Sequence, residues 1–261
     1  MQDAMSGREP TVLVQLSDLH LRAGDEWTGP ASRLARAVRL VKDLEPRPSA
    51  VLVTGDLADE PSEAVYEQAY SLLAALGLPL HAVPGNHDDR DLMRARFGAP
   101  EEPDAPIRFA ADCGPLRLIG CDSTIPGSDA GALGDEQLAW LDATLASAPD
   151  TPTLLALHHP PVRTGIRVMD LIALSPSDSA RLEEIVGGHP QVRTITCGHA
   201  HTAMTTSFAG RALLVCPSTN STVRLDLRPC DDLPFTVAKQ PPGYAVHALI
   251  GDRLVSHIQP V

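Results

Sequence analysis

The stretch TVLVQLSDLH, residues 11–20, sets the reading of the whole chain. Its first six residues, Thr11–Leu16, form an apolar, β-branched run short enough for a strand. An acid and an imidazole follow two residues apart, Asp18 and His20. Residues at that spacing on a strand point to one side, so the pair could share one metal ion. Alone the pair is weak, because Asp and His near a strand end ordinarily just meet solvent. Four further stretches repeat the design, however. Ala50–Thr54 runs into Gly55-Asp56, and Leu80–Val83 into Pro84-Gly85-Asn86-His87-Asp88. Thr153–Leu157 runs into His158-His159-Pro160-Pro161, and Val192–Cys197 into Gly198-His199-Ala200-His201.

Working outward, the apolar runs, with Leu116–Cys121 among them, alternate with amphipathic stretches. Several are nearly continuous in apolar character, as strands buried on both faces should be. The spacing predicts helices over Ser32–Leu44, with Leu34, Val38 and Val41 on one face, and Glu63–Leu76, with Val65, Ala69, Leu72 and Leu76. Two more are expected over Asp135–Leu145 and Asp178–Val186. After residue 203 the pattern changes to strands with short turns: Met204–Phe208, Ala212–Val215, Tyr244–Ile250 and Arg253–Ile258. The Pro-rich stretches Pro100–Pro106 and Pro229–Pro242 read as surface loops. The expectation is an α/β fold with an antiparallel C-terminal portion. It is read as one domain over 1–261, with a core of about 11–215 and C-terminal strands and loops over 216–261.

Composition narrows the partners. The net charge of -12 disfavours a surface that tracks phosphates, and 3% aromatics leave few platforms for stacked bases. An extended nucleic acid is therefore excluded. No run approaches the length of a membrane span, and the N-terminus lacks an apolar signal core. Five cysteines, with no CxxC pair, indicate neither a disulfide framework nor a thiolate zinc site. These features lead us to expect a cytoplasmic protein.

Six of the ten histidines fall in the five stretches above, each where a strand is expected to end. In open α/β sheets, sites gather outside the carboxyl ends of strands. A single ion needs four to six ligands, and this set offers more, including a carboxylate suited to bridging. The economical solution is two metals roughly 3.5–4 Å apart. Imidazole and oxygen donors without thiolate suit iron, manganese, zinc or cobalt. Asn86 can ligate through its oxygen without adding charge, and His87 can donate to a phosphate oxygen or protonate a leaving group. No Ser or Cys nucleophile stands among the motifs, so a covalent intermediate is not expected.

The ordered series DxH, GD, GNHD, HHPP, GHxH resembles the calcineurin-like metallophosphoesterases, with all five motifs intact between Asp18 and His201. The resemblance implies a four-layer αββα sandwich with the site among loops at the sheet edges. It implies that Asp18, His20 and His201 bind one metal and Asn86, His158 and His199 the other, with Asp56 bridging. His87 would be the catalytic acid or a phosphate contact. The metals would be divalent or mixed-valence ions, iron and manganese ranked ahead of zinc and cobalt. His159, Arg22 and Arg90 are candidates for substrate contact, although surface arginines are common. Asp88 is expected to orient a neighbouring histidine. GNHDDR (Gly85–Arg90), HHPPVRTGIRVMD (His158–Asp170), PSTNSTV (Pro217–Val223) and PPGYAVHAL (Pro241–Leu249) resemble class III cyclic nucleotide phosphodiesterases. That narrower likeness implies hydrolysis of 3′,5′-cyclic nucleotides, cAMP above all, and a homodimer. Other phosphodiesters, among them glycerophosphodiesters and 2′,3′-cyclic nucleotides, and phosphomonoesters stay open as substrates. A binding module that had lost catalysis should show eroded ligands, and none is missing here.

Overall fold

The computed structural model describes residues 9–24, 29–98, 105–228, 236–238 and 240–261. In its first half, β1 (Thr11–Leu16), β2 (Ala50–Thr54) and β3 (Leu80–Val83) run parallel. The crossovers are α1 (Gly29–Lys42) and α2 (Glu63–Ala74), and α3 (Arg90–Phe97) follows β3. The chain then builds β4 (Phe109–Cys113), β5 (Leu116–Gly120), the small hairpin of β6 (Thr124–Ile125) and β7 (Ser128–Gly131), and α4 (Gly134–Ala146). Next come β8 (Thr153–Ala156), α5 (Arg167–Asp170), α6 (Pro176–Gly188) and β9 (Val192–Cys197). Strands β10 (Met204–Phe208), β11 (Arg211–Val215), β12 (Gly243–Ile250) and β13 (Arg253–Pro260) complete it. One sheet has the order β13-β12-β1-β2-β3 and the other β10-β11-β9-β8-β5-β4.

Alternation along the buried strands produces the layers. Val12, Val14 and Leu16 of β1 join Val51 and Val53 of β2 against Leu34, Val38, Tyr66 and Leu73 of the first two helices. The residues between them, Leu13, Ala50 and Leu52, point the other way and meet Leu116, Leu118, Leu154 and Ala156 of the second sheet. Outward from that sheet, Ile119, Leu155 and Ile195 pack on Leu138 and Leu141 of α4 and Leu182 and Val186 of α6. Helix, sheet, sheet, helix is the four-layer sandwich that the motifs implied.

Differences from the sequence reading are local. In α2 the buried residues are Val65, Tyr66, Ala69 and Leu73, with Leu76 buried just beyond its end, while Leu72 is half-buried. Tyr66, Ala69 and Leu73 follow the i, i+3, i+7 pattern of one helix face, and Leu72 lies at the edge of that face. Ser62 caps this helix, its side chain accepting from Val65 N. The C-terminal hairpin is not peripheral: β12 pairs antiparallel with β1 and lies inside the first sheet. Much of Pro100–Pro106 and Pro229–Pro242 lies outside the described residues.

Candidate metal centre

Each motif begins where a parallel strand stops: Asp18 after β1, Asp56 after β2, Asn86 after β3, His158 after β8 and His199 after β9. Because β1, β2 and β3 share one direction and β8 and β9 another sheet's common direction, the motif loops gather on one rim of the sandwich. The side chains converge by a different route from the one expected, however. Asp18 and His20 lie beyond the last strand residue, and so do His199 and His201. Their backbones turn left-handed instead, with φ of 51° and 46° at Asp18 and His20, 68° and 55° at His199 and His201, and 52° at Asp56. Among the described residues Ala209 is the one other non-glycine with positive φ. Such conformations cost of order 1–3 kcal/mol each and persist where the surroundings enforce them. Here the enforcement is visible. Asp18 N donates to Gly55 O at 3.0 Å and His20 N to Asp56 O at 2.9 Å, tying the first loop to the second. Gly85 matters by close approach, since a Cβ there would run into the Asp56 carboxylate.

The hydrogen bonds fix which ring nitrogens face inward. A carbonyl can only accept, so His158 Nδ1 donates to Thr54 O at 2.7 Å and His201 Nδ1 to Ser221 O at 3.0 Å. His20 Nδ1 likewise donates to the Asp59 carboxylate at 3.2 Å. Each ring therefore turns a lone pair on Nε2 toward the middle. His20 Nε2 and His201 Nε2 are only 3.0 Å apart, two acceptors facing each other. His158 Nε2 similarly faces Asn86 Oδ1 at 3.1 Å and His199 Nδ1 at 3.2 Å. Asp56 Oδ2 stands between these groups, 3.5 Å from His20 Nε2 and 3.5 Å from His158 Nε2.

A cation answers this arrangement and a proton does not. Asp18 Oδ2 is buried without a hydrogen-bond partner. Burial, then the charge of Asp56, pushes the Asp18 carboxyl well above its usual range. For Asp56 burial pushes the same way, but the imidazoles of His158, His20 and His87 outweigh it and hold the carboxyl below its usual range. Burial also lowers His199 and His20 and takes His201 down to about 3, so these rings are neutral donors at physiological pH. No Lys or Arg pairs with Asp18 or Asp56 among the described residues. Three groups of potential ligands result, of which one, His20, Asp59 and His87, is partly exposed and shares His20 with a fully buried group. The two fully buried groups are Asp18, His20, Asp56 and His201, and His158, His159 and His199, each with its atoms within 4.8 Å. The residues fit a dinuclear centre.

The calcineurin-like phosphoesterase family model matches residues 11–203. The chain belongs to that family. This calcineurin-like phosphoesterase is 31% identical over 242 residues to the probable glycerophosphodiester phosphodiesterase GpdQ of Arcobacter nitrofigilis, covering 90% of this chain and 88% of that one. It is 34% identical to the 3′,5′-cyclic adenosine monophosphate phosphodiesterase CpdA of Pseudomonas aeruginosa, with 89% and 83% covered. A cAMP/cGMP dual specificity phosphodiesterase of Mycobacterium tuberculosis matches at 35%, with 81% and 68% covered. A dimetal phosphatase from Danio rerio shares the fold with a TM-score of 0.72 at 16% identity over 97% of both chains. The family makes the protein a metal-dependent phosphoric ester hydrolase, and its dinuclear ligand set is the chemical reason.

Around this centre lies a cleft of about 420 Å3, reached by His20, Asp56, Asn86, His87, His199 and His201. His87 Nδ1 donates to Asp59 O at 3.2 Å, leaving Nε2 toward the opening. Arg22 also lines the cleft, held to Asp59 at 2.9 Å. Arg90 is not brought to the cluster: its guanidinium is bound to Asp122 at 2.7 Å and to Thr124 O at 2.8 Å, beside a smaller pocket that shares Asn86. His159 is buried with both nitrogens engaged, Nδ1 with Ser123 Oγ at 2.8 Å and Nε2 with Asp129 O at 3.1 Å. Although it lies close enough to group with His158 and His199, ligation would break one of those bonds.

Two residues set the centre's shape in ways the motifs did not announce. Asp88 was expected to orient a histidine. Its carboxylate instead accepts from Leu57 N, Gly85 N and the Tyr66 hydroxyl, clamping the loops after β2 and β3 together. Gln15, buried between the sheets, donates to Thr54 Oγ1 and Cys197 O and accepts from Thr196 Oγ1 and His247. A glutamine inside the apolar run Thr11–Leu16 was the available signal.

His247 supplies a prediction away from the metals. Its ring donates to Gln15 Oε1 at 3.0 Å, and burial lowers its pKa to about 4. The folded value lies below the unfolded one, roughly 6.5, so the unfolded chain binds the extra proton. The stability that neutral His247 confers is complete above roughly pH 6.5 and drains away as pH falls toward 4. Thermal melting should therefore show wild type leading His247→Gln by several degrees at pH 7.5. The lead should shrink steadily below pH 6.5, and a pH-independent gap would refute the account.

Proposed function

We propose that this chain hydrolyses 3′,5′-cyclic nucleotides, cAMP above all, to 5′-monophosphates. The observation that carries the hydrolytic reading is the pair of facing lone-pair clusters joined by Asp56 Oδ2. In this proposal Asp18, His20 and His201 hold one cation, Asn86, His158 and His199 the other, and Asp56 serves both. Iron and manganese are the ions proposed, with zinc and cobalt as substitutes. When bound, two such cations supply Lewis-acid stabilisation of phosphoryl oxygens and acidify water. The protein's own part is orientation and proton supply. The hydrogen bonds to Thr54 O, Ser221 O and Asp59 hold three imidazoles in the ligating tautomer. His87, hydrogen-bonded through Nδ1, can deliver a proton from Nε2 to the departing ribose oxygen or donate to the phosphate. We also assign the chain to the cytoplasm, where its four described cysteines, all buried and unpaired, would stay reduced. A single domain over 1–261 and a homodimer complete the reading.

Support for cyclic nucleotides comes from the relatives named for them and from the sequence likeness through the C-terminal strands. A second reading, glycerophosphodiester hydrolysis, is favoured by relatives so named that match 90% and 94% of the chain. Manganese-loaded protein should be assayed on 3′,5′-cAMP, 2′,3′-cAMP, glycerophosphocholine and p-nitrophenyl phosphate side by side. A lead for 3′,5′-cAMP in kcat/KM is expected. A lead for glycerophosphocholine would replace the first reading with the second while leaving the centre intact.

A further inference from the structure

The cleft is chemically mixed. Besides the candidate ligands, His87, Arg22 and Asp59, it is lined by the apolar Val168, Met169, Ile172 and Val237 and by the polar Asp129, Asn220 and Ser221. We infer that this apolar wall is a nucleobase subsite, so that the chain reads the organic half of its diester and not the phosphate alone. The inference rests on the phosphodiesterase reading above and deepens it.

Three features support it. Val168, Met169, Ile172 and Val237 carry no hydrogen-bonding side chain, so together they suit the apolar face of a flat heterocycle. Met169 adds a polarizable thioether, which makes favourable contacts with aromatic rings. The wall is also built before any ligand arrives. Asp170, at the end of α5, accepts from Thr164 N at 2.6 Å, Thr164 Oγ1 at 2.8 Å and Gly165 N at 3.1 Å, so the turn that presents Val168 and Met169 is fixed. Val237, for its part, is held by an antiparallel bridge to Val223, with Arg224 N donating to Thr236 O at 2.7 Å. Lastly, the polar margin has a defined sense. Arg33 donates to Asn220 Oδ1 at 2.7 Å, which leaves the Asn220 amide N–H groups to donate to an acceptor on a base or ribose. An apolar face with donors at one edge matches a nucleoside.

Calorimetric titration with AMP and with ribose 5-phosphate, in manganese-containing buffer, isolates the base. Wild type should bind AMP about tenfold more tightly, the gain expected from covering one face of a base. In an Ile172→Ser/Val237→Ser double variant that gap should collapse while ribose 5-phosphate affinity stays put. Val237→Ser alone, at a side chain 59% exposed, gives a narrower version of the same test in a fold it cannot upset. Equal affinities in wild type, or an undiminished gap in both variants, would overturn the subsite. The phosphodiesterase reading fails separately: a protein that shows the gap yet hydrolyses no cyclic nucleotide keeps the wall and loses the substrate.

Discussion

Replacing Asp56 by Ala should cut hydrolysis about a thousandfold or more and reduce the metal content of the purified protein. The expectation follows from where one oxygen stands. Asp56 Oδ2 is 3.5 Å from the inward nitrogen of His20 and 3.5 Å from that of His158, one in each ligand cluster. No other described side chain reaches both with a charged atom. Its second oxygen accepts from His87 N at 3.0 Å, so the same carboxylate also seats the loop that carries Asn86. Removing it leaves two clusters of imidazoles with one carboxylate, Asp18, in place of two. Asp56→Asn separates charge from shape. It keeps the volume and one acceptor oxygen, so rate and metal content should fall almost as far if charge is what binds the cations. Metal analysis and turnover on one preparation read both quantities. Retention of both by Asp56→Ala would remove the bridging role and with it the dinuclear proposal.

How much of this was legible beforehand differs from one residue to the next. β1, β2, β3 and β9 begin and end where their apolar runs do, and in β1 and β2 burial on both faces leaves little room for polar residues. α3 leaves little sign in the sequence. Its sequence RDLMRARF is strongly charged, and Met93 is its one fully buried residue, so the periodic signal is nearly absent. The edge strand β4, FAADC, hides for a related reason, with Cys113 alone fully buried. The motif residues were legible by type and order, and the structure gathers Asp18, His20, Asp56, Asn86, His158, His199 and His201 at one rim. Their geometry was not. Left-handed backbone at Asp18, His20 and His201 has no glycine to announce it and is imposed by contacts from other loops. Asp59 is equally inconspicuous in the sequence, one acid among 33, although it binds both His20 and Arg22.

His87→Ala should lower kcat on a 3′,5′-cyclic nucleotide by about a hundredfold to a thousandfold, the usual range for losing a positioned acid. The side chain is not held like the ligands. Its Nδ1 donates to a backbone carbonyl, Asp59 O, and its ring meets His20 edge to face at 4.9 Å, so it leans over the centre from one wall. Burial by itself would lower its pKa, but the charge of Asp56 and the Asp59 carbonyl bring it out above the ordinary value. Among the clustered histidines it alone shifts in this direction, which suits a group that must arrive protonated. Two roles fit that position, proton donor to the leaving oxygen and hydrogen-bond donor to the phosphate, and the leaving group separates them. A ribose alkoxide needs a proton as it departs, whereas p-nitrophenolate leaves as a stable anion. If His87 is the acid, His87→Ala should lose far more on cAMP than on bis(p-nitrophenyl) phosphate. The alkaline fall of kcat for cAMP, which tracks deprotonation of the acid, should also disappear from the variant's pH profile. Equal losses on both substrates, with the alkaline limb retained, would make His87 a phosphate contact and send the search for the acid elsewhere in the cleft. The comparison is informative because both diesters place the same phosphorus at the same cations, so only the demand for a proton changes.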